Sequence, residues 1–322
     1  MEQMTDPQTA RPAAPPPPDP LAALLSALTP AEDKAGAYHG DTYVLECVDQ
    51  LRRLRVDPAA FAARHSLLLL APGAIVSRAV DPTLKWLSGN GFRVVDAAAV
   101  PLNRHLVRAL WRYSWNTASP ERRRLTDLLA GISEALLLVV TGPDGELPAP
   151  VRLAEGAGPD DPAQRRPGQL RYLLGQRSTV LNPVHTPEDP ADVVRELAIF
   201  FPETRRAEVI SRAYTGADSA ETARTLADAL YARTPCRSFD KSVALDRLLR
   251  DLDRAGAPAP ADFDAGSAGA CAAMLTRALA SGLDIDPWSA VVLGAEVLPM
   301  RADAGPRALR PVTAADWRAG AR

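Results

Sequence analysis

Short apolar runs alternate with amphipathic stretches along the middle of the chain. Strand-sized runs of apolar residues occupy Ser66–Leu70, Phe92–Val100 and Leu136–Val140. Apolar residues recur at helical spacing over Pro82–Ser88, Asn103–Trp115, Glu121–Leu129 and Glu188–Phe200. Strands separated by helices, and too few for a large parallel sheet, predict an α/β fold of the α+β kind. We expect a ferredoxin-like antiparallel sheet with helices packed on one face.

The segments on either side of this region have a different pattern. Residues 1–20 contain the proline run Pro15–Pro18, which is typical of a disordered tail. Beyond residue 203 the chain is rich in alanine and mostly helical in pattern, and its end from Arg301 is polar and irregular in pattern. We therefore predict a disordered tail (1–20), an N-terminal helical extension (21–63), a core domain (64–203) and a mostly helical C-terminal region (204–322).

Composition narrows the class of protein. The formal net charge is −2, so no overall charge attracts nucleic acid or an anionic membrane. No apolar run approaches the length of a membrane span, and no secretion signal is recognisable at the start. The three cysteines are widely spaced, which argues against a disulfide framework and against a cysteine-rich zinc site. We expect a cytoplasmic protein that binds neither nucleic acid nor membrane.

A series of motif residues in the core region carries the candidate chemistry. The motif segments are, in chain order, Arg152 with Gly156, Asp161-Pro162, Pro167-Gly168-Gln169-Leu170-Arg171, Asn182-Pro183-Val184-His185 and Glu196. Glu196 lies eleven residues after His185, and Asn182 lies three residues before it. In their order and spacing, these residues resemble the nucleoside diphosphate kinase family over most of residues 64–203.

The resemblance implies a role for each matched residue. His185 would accept the phosphate, because a neutral imidazole is nucleophilic near neutral pH, and Glu196 would orient its ring. Arg152 and Arg171 would clamp the phosphates with their guanidinium forks, and Asn182 would bond the ribose hydroxyl. The resemblance also implies ATP or another nucleoside triphosphate as donor, with Mg²⁺ bridging its phosphates; we predict no protein residue as a metal ligand.

Other positions depart from the family pattern. The family's Lys-Pro-Asp is Ala71-Pro72-Gly73 here, its phosphate-binding threonine is Gly158, and its serine after the motif histidine is Pro187. The leading hypothesis is therefore a repurposed phosphotransferase that relays phosphate through His185 to a non-standard acceptor, in specialised metabolism, rather than to ordinary nucleoside diphosphates. Two alternatives stay open: a catalytically weak nucleotide-binding or regulatory protein, and an enzyme of another reaction class that uses His185 as a general base.

The remaining conspicuous side chains are assigned to packing or to solvated surface. This group contains His39, His65, His105, the arginines of Arg122–Arg124 and Arg165-Arg166, and the aromatic residues Trp111, Tyr113 and Trp115. Trp111 is a loose match to a tyrosine of the family. The expected partner is a nucleotide or a nucleotide-like small molecule. The resemblance also implies a homo-oligomer, although the added segments can block the family's contacts, so the assembly state, the acceptor and the preferred base stay open.

Overall fold

A computed structural model describes residues 19–175, 178, 180–302 and 305–320 of the chain. The helices and strands are, in chain order, α1 (Pro20–Leu28), α2 (Glu32–His39), α3 (Thr42–Arg53), α4 (Pro58–Arg64), β1 (His65–Leu70), α5 (Pro72–Val76), α6 (Val80–Gly89), β2 (Arg93–Val100), α7 (Arg104–Leu110), α8 (Pro120–Ala130), β3 (Ala135–Thr141), α9 (Ala149–Ala157), α10 (Leu170–Leu173), β4 (Val184–His185), α11 (Pro190–Phe200), α12 (Glu203–Thr215), α13 (Ala220–Arg233), α14 (Lys241–Arg254), α15 (Ala268–Ala280), α16 (Pro287–Val297) and α17 (Ala314–Gly320).

Most of these elements lie where the apolar pattern predicts them. The helix predicted over Asn103–Trp115 is shorter, because α7 ends at Leu110 and a 3₁₀ turn follows at Trp115–Thr117. The predicted disordered tail lies outside the described residues up to residue 18, whereas Asp19 and Pro20 cap and begin α1. The chain's end also contains a helix, α17, where the pattern predicted irregular structure.

The four strands form one antiparallel sheet in the order β2-β3-β1-β4. β1 pairs along its whole length with β3, and β2 pairs with the other side of β3. β4 contributes two residues at the open edge, where His185 lies opposite Leu69 of β1. The predicted α+β fold with an antiparallel sheet is therefore confirmed, and the candidate histidine lies on an edge strand of that sheet.

Helices cover both faces of the sheet, so the expectation of helices on one face is wrong. Every residue of β1 and β3 is buried. Because successive side chains of a strand point to opposite faces, a strand that is buried at every position must be covered on both sides. Helices α1–α4, α11 and α12 pack with one face, and α5, α6, α9 and α13 pack with the other. The flanking segments thus complete both cores, and the four-part division of the chain stays a prediction.

A third apolar cluster holds α8 against the C-terminal helices α14, α15 and α16. Gly294 of α16 allows the closest approach, since a Cβ atom there would lie 2.8 Å from the side chain of Leu125 in α8. The mostly helical C-terminal region is confirmed, and its packing fixes the position of α8. None of the helices within the described residues is long and apolar enough to span a membrane.

Candidate active site

His185 and Glu196 are brought together by a short strand and the helix that follows it. Asp189 caps α11 by accepting a hydrogen bond from the Asp192 N–H at 3.1 Å, and Pro190 occupies the first helical turn. Glu196 therefore faces back toward the end of β4. The His185 Nε2 atom lies 2.9 Å from Glu196 Oε1, so the two side chains are within hydrogen-bond reach, as their spacing predicts.

Trp111 approaches the second nitrogen of the His185 ring. The Trp111 indole Nε1 lies 3.4 Å from His185 Nδ1, and the two rings are nearly perpendicular at 89°. An indole N–H can only donate a hydrogen bond, so Nδ1 must accept it and the ring proton must reside on Nε2, facing Glu196. Trp111, which sequence analysis assigned to packing, thus contacts the candidate nucleophile, and its loose match to a family tyrosine was the available signal.

The surroundings of His185 change the pKa of its ring. Burial by itself would lower the pKa of His185, but the charge and hydrogen bond of Glu196, with a smaller contribution from Asp160, outweigh it and raise that pKa above its ordinary value. The side chain remains 21% exposed, on the side that faces a cavity. The ring is therefore held in one orientation, has a raised pKa and is accessible from the cavity.

Replacing Glu196 with glutamine tests the effect of its carboxylate on the pKa of His185. We expect Glu196→Gln to lower the pKa of His185, because burial and the positive charge of Arg171 still act on the ring. A histidine whose pKa is higher in the folded state than in the unfolded state stabilises the fold at pH values below its unfolded-state pKa. Glu196→Gln removes this stabilisation, so it should lower the free energy of unfolding more at about pH 5 than at about pH 9. An NMR titration of the histidine ring protons measures the pKa. Burial already holds the pKa of His65 below its ordinary value, and that pKa should not change in the variant.

Arg171 is buried and engaged with the protein itself. Its guanidinium donates to the Asn182 side-chain oxygen at 3.0 Å, to the Val184 carbonyl at 3.1 Å and to the Gly158 carbonyl, and it forms an ion pair with Asp160 at 3.4 Å. A guanidinium has five N–H donors, and most of them are taken up here. Arg171 therefore ties together the loops on which the site is built.

Asn182 is held in the same network. Its Oδ1 accepts from Arg171, and its Nδ2 donates to Asp160 Oδ1 at 2.9 Å. The structure thus places Arg171 and Asn182 beside His185, in one cavity, as the motif predicts. A ribose or phosphate group would have to compete with Asp160 for their hydrogen bonds, so the ligand-binding roles of both residues stay proposals.

Arg152 lies outside this cavity, which corrects the prediction that it lines the same pocket. Its guanidinium donates to the carbonyls of Pro143 at 2.9 Å and Asp144 at 3.1 Å, in the turn that follows β3. Gly145 leaves the space for it, since a Cβ atom there would lie 2.6 Å from the Arg152 guanidinium. The turn's carbonyls satisfy Arg152 locally, and the residue is not positioned as a phosphate clamp.

A sequence model of the family described as nucleoside diphosphate kinase matches residues 64–206. Residues 64–206 form a divergent nucleoside diphosphate kinase-like domain. The resemblance inferred from the motif residues is thereby confirmed, with additional segments on both sides.

Two solved nucleoside diphosphate kinase structures are similar to part of the chain. The enzyme of Aquifex aeolicus, in an orthorhombic crystal form, aligns at 18% identity with a TM-score of 0.37, over 43% of this chain and 95% of its own. The apo enzyme of Encephalitozoon cuniculi aligns at 17% identity with a TM-score of 0.35, over 42% of this chain and 87% of its own. No curated protein matches the sequence.

The loop at Gly158 of the kinase-like domain requires a glycine. Gly158 has a φ of +86°, a conformation that favours glycine, and a Cβ atom there would lie 2.6 Å from the side-chain oxygen of Gln169. A threonine at this position, as in the family, would therefore be strained and would collide with Gln169. The loop that follows Gly158 places Asp160 at the cavity, where its side chain is 52% exposed.

The cavity around His185 has a volume of about 930 Å³, near the upper end of the range for small-molecule sites. It is lined by motif residues of the kinase-like domain, by other residues of that domain and by residues from the segments before and after it. Several arginines from α8 and the C-terminal segment line it: Arg122, Arg301, Arg307, Arg310 and Arg318. Arg122 was expected on a solvated face, and that expectation is wrong. The arginines beyond the domain reach the cavity only because the chain folds back, which no local pattern reveals.

A buried charge network from the N-terminal extension supports the helix that carries Glu196. Lys34 of α2 donates to Asp189 at 3.0 Å and to Asp192 at 2.8 Å, and the Tyr38 hydroxyl donates to Asp192 at 2.6 Å. Burial would lower the pKa of Lys34, but the two aspartates outweigh it and hold that pKa above its usual range. The ammonium thus stays charged and fixes α11 to α2.

Proposed function

We propose that the kinase-like domain is a nucleotide-dependent phosphotransferase in which His185 relays phosphate to an acceptor other than an ordinary nucleoside diphosphate. The observation that carries this proposal is the 2.9 Å contact between His185 and Glu196 on an arginine-lined cavity. The non-standard acceptor is supported by the Gly158 loop and by the local pairing of Arg152. Specialised metabolism, a cytoplasmic location and self-association belong to the same proposal.

The geometry supports attack by the Nδ1 atom of His185. Its lone pair would form a bond to the terminal phosphorus while the bond from that phosphorus to the leaving nucleoside diphosphate breaks. The Nε2 proton would stay on the ring, where its hydrogen bond to Glu196 strengthens as the ring becomes positive. The Trp111 N–H would have to leave Nδ1 as the phosphoryl group arrives. In the second step, an acceptor oxygen would take the phosphoryl group and the N–P bond would break.

A phosphoryl group in transfer carries negative charge spread over its oxygens. Catalysis therefore depends more on positively charged groups around it than on further covalent chemistry. The cavity supplies guanidinium groups that match phosphate oxygens in geometry. Within the described residues, no group of three or more metal-ligating side chains is assembled. A magnesium ion carried by the phosphates would need few protein ligands, and the cavity-facing Asp160 carboxylate could hold it. When bound, the ion would neutralise charge on the phosphate oxygens.

The test is phosphorylation of the full chain by ATP labelled in its γ-phosphate, in the presence of magnesium. We expect label on the protein that is stable in base and lost in acid, as a phosphorus–nitrogen bond should be. Digestion and mass spectrometry under basic conditions should place it on His185. Label that is stable in acid, or none at all, would contradict the relay.

Nucleotide binding without transfer is a second candidate, and two observations favour it. The Trp111 N–H occupies the nitrogen that would attack, and Asp160 lies among the cations that would hold phosphate. This candidate predicts calorimetric binding of ATP and ADP with no label transferred to the protein. The same pair of measurements therefore separates the two functions.

A substitution at Ala71, where the family has lysine, distinguishes two explanations of the departures from the family pattern. Either the site is adapted to another acceptor, or it has only lost ordinary diphosphate kinase activity. Ala71 lines the cavity, and its N–H donates to the Pro183 carbonyl at 2.8 Å. We expect Ala71→Lys to leave transfer from ATP to GDP near its starting level, because Arg152 is paired with the turn after β3 and Gly158 also departs from the family pattern. A charged hydrogen bond contributes about 1.5–3 kcal/mol, which corresponds to about one to two orders of magnitude in rate. A gain of that size in transfer to GDP would instead indicate that the site had only lost ordinary kinase activity. The exposed variant Ala229→Lys is the matched control.

A further inference from the structure

We propose that Arg122, Arg301 and Arg307 form a subsite for a phosphate group of the ligand, and that Asp160 occupies this subsite when the ligand is absent. The inference deepens the proposed function, on which it rests for the site as a whole, by naming where the ligand's phosphate chain is held. It also assigns a role to a segment that follows the kinase-like domain in the chain.

Arg301 and Arg122 are held side by side at the N-terminus of α8. The Ser119 N–H donates to the Met300 carbonyl at 3.4 Å, and Arg301 forms a β-bridge with Ala118. Ser119 also caps α8, since its hydroxyl accepts the Arg122 N–H at 2.9 Å. The returning C-terminal segment is thus fixed by backbone contacts to the same turn from which Arg122 projects.

Arg307 is fixed from both sides in the C-terminal strap, which we define as residues 305–320. The Asn116 side chain donates to the Pro306 carbonyl at 2.9 Å, and the Ala308 N–H donates to the Tyr113 carbonyl at 3.1 Å. The strap therefore follows the 3₁₀ turn that precedes α8, and Arg307 projects from it into the cavity. Its guanidinium lies 3.9 Å from Asp160 Oδ2.

The cluster has more positive than negative charge. Among the described residues, the half-buried Arg122 guanidinium has no hydrogen bond or ion pair to another side chain. Burial lowers the pKa of Arg122, and the charges of Arg307 and Arg301 lower it further, against the opposing effect of Asp160. Arg122 and Arg307 thus lie near one carboxylate, Asp160, that also pairs with Arg171, and Arg301 adds a third positive charge beside Arg122. A phosphate group, with two charges and several acceptor oxygens, would compensate them better than Asp160 does.

The two carboxylate oxygens of Asp160 are held unequally. Its Oδ1 is engaged by Asn182 at 2.9 Å, but the contact of Oδ2 with Arg307, at 3.9 Å, is longer than a hydrogen bond. Burial would raise the pKa of Asp160, whereas Arg171 and Arg307 hold it below its usual range, so the carboxylate is charged at neutral pH. Because the side chain is half exposed and Oδ2 has only this long contact, an incoming phosphate can displace Oδ2 from Arg307.

The experiment is calorimetric titration of the full chain with inorganic pyrophosphate in the presence of EDTA, so that Asp160 cannot act through a metal ion. We expect Arg307→Gln and Arg122→Gln each to weaken binding by about tenfold or more, the effect of losing a charged hydrogen bond. Asp160→Asn should tighten binding, because the internal competitor loses its charge. Arg250→Gln, on the exposed surface of α14, is the matched control and should change the affinity by less than about twofold.

The outcomes separate this subsite from the proposed function. If Arg122, Arg301 and Arg307 variants all bind pyrophosphate as the Arg250 variant does, or if the wild type does not bind it, the subsite is wrong, even where His185 is phosphorylated. If Arg122→Gln and Arg307→Gln weaken pyrophosphate binding and Asp160→Asn tightens it, but no phosphohistidine forms, the subsite stands and the relay is wrong. Arg301→Gln is included because its exposed side chain can be changed without disturbing the fold. Competition by ATP then shows whether a nucleotide uses the same subsite as free pyrophosphate.

Discussion

Replacing His185 with glutamine should reduce acid-labile labelling of the protein from γ-labelled ATP by at least about three orders of magnitude, because the attacking nitrogen is removed. Glutamine keeps a polar side chain of similar reach, so the hydrogen bond to Glu196 and the shape of the cavity should survive. ATP binding, measured by calorimetry, should therefore change by less than about tenfold, the effect of one charged hydrogen bond. A loss of labelling with binding retained identifies His185 as the phosphate acceptor.

His105→Gln is the matched control for this experiment. His105 is exposed on α7 and does not line the cavity, so its replacement should leave labelling unchanged. Label that persists in His185→Gln would place the phosphate on another residue and overturn the relay. Equal loss in both variants would indicate a general effect on the protein rather than the removal of a nucleophile.

Replacing Lys34 with methionine should lower the free energy of unfolding by about 3–5 kcal/mol, because it leaves two buried carboxylates without their cation. The Lys34 side chain is 4% exposed and that of Asp189 is fully buried. Urea denaturation followed by circular dichroism measures the effect. Lys85→Met is the matched control, since Lys85 is exposed on α6 and its loss should change stability by about 0.5 kcal/mol at most.

The pH dependence of the Lys34 variant gives a second test. The pKa of Asp189 is raised to about 6, mainly by burial and despite Lys34. Removing the ammonium should raise it further, so both aspartates become easier to protonate in the folded variant. Because Asp189 is protonated at a higher pH in the variant than in the wild type, the stability difference between wild type and Lys34→Met should shrink as the pH falls from about 8 toward about 6. A stability difference that stays constant from about pH 8 to about pH 5 would contradict the assignment of this titration to the buried aspartates.

The sequence alone determined the strands β1, β2 and β3, the helix α11 and, through the family resemblance, the pair of His185 and Glu196, whereas the two-residue strand β4 was not predicted. Each apolar run identifies its own element, because burial requires apolar side chains at the period of that element. His185 and Glu196 belong to one strand-and-helix unit, so their eleven-residue spacing is enough to place them together. Arg171 and Asn182 are near for the same reason, since Arg171 lies on α10 and Asn182 in the segment just before β4.

Only the tertiary structure decided which other side chains reach the site. Arg152 has the motif spacing, but the carbonyls of a nearby turn hold it away from the cavity. Lys34 and Arg307 lie far from the motif in the sequence, and they arrive because α2 packs on α11 and the C-terminal strap returns to α8. A periodic pattern encodes how an element buries its own apolar face. It contains no information on which distant charged residues that burial brings together, because their positions depend on the packing of three separate apolar clusters.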